Sequence, residues 1–150
     1  MSADQYVSRR ESVELEEVSL GFRTVHLLPA AELEAAQQGY EGEDWSPSWL
    51  VVAQEDELGD PIFVDTSAEL LPVFTAAHGE GSWEPVQVAD SFDGFVDGLQ
   101  AIAAISAGRE HPVGLEENPL PDDERRAVLG RIRDRNPGSD PEFWESWLTL

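Results

Sequence analysis

The chain has no cysteine and no lysine, and its one methionine is the first residue. Without cysteine there is no disulfide framework, thiolate zinc site, iron–sulfur cluster or cysteine nucleophile. That composition fits a reducing, cytoplasmic setting. Long hydrophobic runs are missing too. Nothing approaches the ~18 apolar residues of a membrane span, and residues 1–17 are polar and acidic, unlike a secretory signal. Without lysine there is no Walker-type phosphate loop. HExxH and GxSxG are also absent, and His26, His78 and His111 are not spaced as metal ligands. Asp56 and Asp60 are four apart but lack the spacing and central glycine of an EF-hand. The residues therefore point to no metal, no cofactor and no catalytic group. Acids are so abundant that no pair stands out as a general acid and base. An enzyme built on unrecognised carboxylates ranks third among the readings of this chain.

Positive charge is the scarcest property. Of 150 residues, 31 are Asp or Glu and nine are basic, all arginine, for a formal charge of −22. Between Arg23 and Arg109 there is no basic residue and there are 16 acids. A duplex or an anionic membrane surface would repel such a body, whereas a basic protein would be drawn to it. Acidity also serves solubility, so the charge reads equally as a binding device or as a solvated surface.

What is present suits one domain: 41% apolar residues, enough for a core. Residues 1–17 read as a mobile arm, 18–108 as an α+β core, and 109–150 as a helical C-terminal extension docked on that core. Alternation at Val18, Leu20 and Phe22, continuing to Leu28, predicts one strand. Ala30–Gln38 has helix formers, stopped at Gly39. Trp49–Gln54 is a continuous apolar run, as in a strand covered on both faces. Pro61–Asp65, Leu71–Ala77 and Trp83–Ala89 follow after links too short for crossovers, which predicts a four-strand antiparallel meander. Phe92, Phe95, Val96, Leu99, Ile102 and Ala103 then form one apolar helical stripe behind an Asp90 or Ser91 cap. The fold class is α+β: an antiparallel, or mixed, sheet of about four to five strands packed by helices. Pro121–Arg135 predicts a further helix, acids first and arginines last. Asp140-Pro141 opens a short helix whose Phe143, Trp144, Trp147 and Leu148 lie on one side. So aromatic an end implies docking, on the body or across a homodimer.

The segment Trp49–Phe95 carries an ordered set of features. It has an apolar strand, Gly59-Asp60-Pro61, a strand ending in Asp65, Pro72-Val73-Phe74, His78-Gly79, Trp83, and Ala89-x-Ser91-Phe92 opening a helix with Phe95. This set resembles the SUKH superfamily, in particular the family named for the yeast regulator of cell-wall assembly and killer-toxin resistance. Ile132-x-x-x-Asn136 and Asp140-x-x-Phe143-Trp144 are similar to the ending of some relatives. The resemblance implies an α+β domain with helices packed on a sheet. In bacteria it most often implies an immunity protein that binds and neutralises a toxin, frequently a nuclease, without catalysis or cofactor.

Antiparallel order places the first and third meander turns at one end of the sheet. The candidate partner-binding residues are therefore Glu55, Asp56, Glu57 and Asp60 on one turn, with His78, Glu80 and Trp83 on the other. The partner expected is a basic protein, and nucleic acid and membrane are not. A regulatory scaffold binding several partners is the alternative. Individually each acid also reads as solvated surface, and Asp60 and Asp65 read equally as turn residues accepting backbone N–H bonds.

Overall fold

Among the described residues six strands form in sequence order: β1 (Glu17–Leu20), β2 (Arg23–Leu27), β3 (Trp49–Glu55), β4 (Pro61–Asp65), β5 (Val73–Thr75) and β6 (Val86–Ala89). They come from a computed structural model that describes residues 3–20, 23–40, 45–56, 59–76, 84–106 and 120–148. Every strand pairs antiparallel with the next, so the sheet order is the chain order. The expected meander is β3–β6. The sheet has six strands rather than four to five because the 18–28 run is a hairpin, with Val18 opposite Val25. Phase explains this. Val18 and Leu20 are even-numbered, Val25 and Leu27 odd-numbered, and all four are buried in one core. A single strand would send the two pairs to opposite faces, and the reversal returns them to one.

β3 is apolar from Trp49 to Ala53 because both its faces are covered there. Val52 and Ala53 belong to the main core with Ile62 and Val64, whereas Val51 joins Phe63 in a smaller cluster. A bulge between Val51 and Ala53 resets the alternation. β3 also outruns β2, which would leave peptide groups unpaired. The Gln37 side chain takes their place, donating to the Val51 carbonyl (2.9 Å) and accepting the Val51 amide (2.8 Å). Gln37 lies just after α2 (Leu33–Ala36), which a 3₁₀ turn at Ala30–Glu32 precedes.

Helix α3 (Phe92–Ser106) buries the predicted stripe of Phe92, Phe95, Val96, Leu99 and Ile102. Its cap is Ser91, whose hydroxyl accepts the Gly94 amide at 2.9 Å. α3 touches both β1 and β6, the two edges of the sheet, so the sheet curls around it.

Composition predicts a mobile arm at residues 1–17. Ala3–Glu11 is instead a helix, α1, and Tyr6 is fully buried with its ring 4.9 Å from that of Phe92. Arg10 is buried beside it and donates to the carbonyls of Leu28 and Val13, at 3.1 and 2.8 Å. One aromatic and one satisfied guanidinium hold an otherwise polar helix in place.

Among the described residues two further helices follow: α4 (Asp122–Arg135) and α5 (Glu142–Glu145). α4 packs on α3. The Trp144 indole donates to the Val88 carbonyl at 2.8 Å, and its ring lies on Gly98 of α3. Buried Asn136 accepts the Asp90 amide and donates to the carbonyls of Gly94 and Ile132. Asp90 in turn accepts from the Gly138 amide and the Ser139 hydroxyl. Burying an aromatic side chain of this kind contributes about 1.5–3 kcal/mol, and Trp144 and Trp147 are both buried. Among the described residues, no helix is long and apolar enough to cross a membrane.

Candidate protein-binding site

The β3–β4 turn and the β5–β6 connection leave the sheet at the same end. The register shows it: Gln54 faces Pro61, Ile62 faces Thr75, and Thr75 faces Val86. The Thr75 hydroxyl ties this end together by donating to the Pro61 carbonyl at 2.9 Å. The 55–60 turn is closed by the Gly59 amide donating to the Glu55 carbonyl, with Gly59 at φ 74°, which a side chain would resist.

The candidate acids on this turn separate into different environments. Glu55 stands opposite Val25, on the helix side of the sheet, and is only 3% exposed. It is a wall of the molecule and not an exposed tip. Asp56 is exposed, and its carboxylate lies 2.8 Å from Nε2 of His26. His26 Nδ1 is 4.0 Å from Glu17, so a lone histidine at the sheet surface sits between two acids. Asp60 is half-buried. Glu57, His78, Glu80 and Trp83 lie outside the described residues.

Asp60 also faces a second feature. On the sheet surface away from α3, the rings of Tyr40, Trp45, Trp49, Phe63 and Phe74 form a chain of contacts 4.8–5.9 Å between centroids. Phe63 is fully buried, and the other four rings are half-buried. Burial raises the Tyr40 hydroxyl above its ordinary pKa. A hydrogen bond with Gln54 opposes the rise, and the nearby Asp60 charge adds to it.

Between the sheet end and α5 lies an open groove of about 380 Å³. Glu55, Asp60, Thr75 and Val86 line it from the sheet end, and Asp140, Glu142, Phe143 and Ser146 from the C-terminal segment. Val86 is 41% exposed. The Asp140 carboxylate is fixed by accepting the Glu142 amide at 2.9 Å. Among the described residues that line the groove, four are acids and none is basic.

Sequence reasoning missed the half of this groove that comes from Asp140–Ser146. It also missed Gly94 and Gly98, the positions on α3 that let the C-terminal segment come close. A Cβ there would lie 2.3 Å from Asn136 Oδ1 and 2.6 Å from Trp144 Cη2. Two glycines four apart inside a strong helix were the available signal.

Among the described residues, no group of three or more His, Asp or Glu side chains could hold a metal ion. No protein-family model, no curated protein and no solved structure matches the chain significantly.

Proposed function

We propose that the chain is a non-catalytic protein-binding domain, an immunity protein of SUKH type that neutralises a basic toxin by covering its cleft. The observation that carries this reading is the base-free stretch 24–108, whose acids Asp56 and Asp60 share one sheet end with Asp140 and Glu142. A toxin that grips nucleic acid carries a basic cleft. An acid-rich, rigid surface meets it quickly through long-range attraction, and apolar contacts then set the residence time.

The test is a rescue assay. The product of the adjacent gene is expressed in a naive host with and without this protein, and survival is scored. Killing by the neighbour that this chain reverses is the expected outcome. A harmless neighbour, or one that kills regardless, overturns the immunity reading and leaves a regulatory scaffold in the lead.

A further inference from the structure

Resting on that binding role, we propose that the groove between the 55–60 end of the sheet and α5 seats one arginine side chain of the partner. The groove has both apolar and acidic lining. Val86 and the half-buried Phe143 ring are its apolar part, and buried Glu55 with Asp60, Asp140 and Glu142 are its acids. Val86 is one of two exposed large hydrophobic residues among those described. The other, Leu70, lies on the β4–β5 turn at the opposite end of the sheet.

Charge complementarity names the occupant. Among the described lining residues an anionic group would meet carboxylates and no base. A bare cation would leave the apolar part uncovered, and among the described residues no set of three metal-ligating side chains exists. A side chain with an apolar stem and a cationic head satisfies both parts, its methylenes on Val86 and its charge among the acids. Arginine fits better than lysine. Its planar, weakly hydrated guanidinium stacks on a ring such as Phe143 while donating edge-on to carboxylates. The groove is also bipartite, with half its described lining at the sheet end and half on the C-terminal segment. Docking of Trp144 on Gly98 therefore assembles it.

The probe is Nα-acetyl-arginine amide, titrated into the full ¹⁵N-labelled chain and followed by amide shifts, beside its lysine and citrulline counterparts. The expected result is saturable shifts centred on Val86, Glu142 and Phe143. Lysine should bind more weakly, on the order of three-fold, and citrulline not at all. Glu142→Gln, an exposed change that leaves the backbone bond to Asp140 intact, should weaken arginine binding about two- to five-fold. Unchanged shifts elsewhere confirm its fold. Equal binding of citrulline or lysine, shifts centred elsewhere, or an unaltered Glu142→Gln titration would overturn the proposal. The rescue assay fails or succeeds independently of this titration. Arginine binding without rescue sinks the immunity reading alone, and rescue without arginine binding sinks the groove alone.

Discussion

At Gly98 a single hydrogen atom in place of a methyl lets Trp144 reach the helix. Gly98→Ala should gain about 1 kcal/mol of helix propensity. It also forces a methyl to within 2.6 Å of a buried ring. Overpacking of that kind costs about 1–3 kcal/mol, so the clash wins and urea denaturation should show net loss. Gly130→Ala is the matched control. A Cβ there meets nothing within 4 Å, and stability should rise by up to about 1 kcal/mol. Tyr6 offers the opposite lesson. Its hydroxyl is buried with no hydrogen-bond partner among the described residues. Burial pushes its pKa far above the ordinary 10.0, opposed only in part by the Arg10 charge. Folding thus favours the protonated phenol. That contribution is whole below pH 10 and is lost as pH rises through the higher folded value. Tyr6→Phe should leave neutral stability unchanged or up to about 1 kcal/mol higher, and should move base-induced unfolding to higher pH. Asp65 is the acid-side case. Burial works to raise its pKa, but hydrogen bonds from the Ser67 hydroxyl and amide and from Ser48 outweigh burial and hold it below 3.8. Its contribution is present above 3.8 and fades as pH falls through the folded value. Thermal melts of Asp65→Asn should lose that part of the acid-limb slope.

The elements differ in how openly they declare themselves. α3 was legible because its stripe is local: six apolar residues at helical spacing need only one surface to cover them. The meander was legible because its turns are short and its strands apolar. The β1–β2 reversal was marked by a phase slip between even and odd positions and by a single glycine, Gly21, between the two runs. α1 was not legible, since one buried aromatic and one buried arginine in nine residues barely raise a periodic signal. Much of what holds them, the Phe92 ring and the Leu28 carbonyl, comes from outside the helix and its flank, with only the Val13 carbonyl close by in the chain. Docking of α5 depends on long-range pairs of the same kind. Trp144→Ala removes a buried ring and its bond to the Val88 carbonyl, so a loss of about 3–5 kcal/mol is expected. The same change should loosen the groove, read as collapse of the Phe143 and Ser146 amide shifts toward random-coil values.

For the whole molecule, charge is the governing quantity. A body at −22 repels itself, and that repulsion is screened by salt. Thermal unfolding should therefore move upward between low and moderate ionic strength. Association with a basic partner should slow over the same range. A melting temperature indifferent to salt would show the acids to be far enough apart to ignore one another. The two tests share a cause but read different surfaces, since stability sums over all acids and association weights those facing the partner.

The amino-acid sequence by itself determined the charge, the absence of thiol and lysine chemistry, the α+β class and the meander with its helix. These follow from composition and from periodicities spanning a few residues. It also located the 55–60 turn as one end of the sheet, since antiparallel order alone dictates that. Only the tertiary structure decided that Glu55 points inward, that Asp56 engages His26 thirty residues away, and that Asp60 shares a groove with Asp140 and Glu142. Those facts depend on a bulge, a strand register and the close approach of Trp144 to Gly98. Each is a contact between residues far apart in the chain, and such contacts leave almost no mark on local sequence.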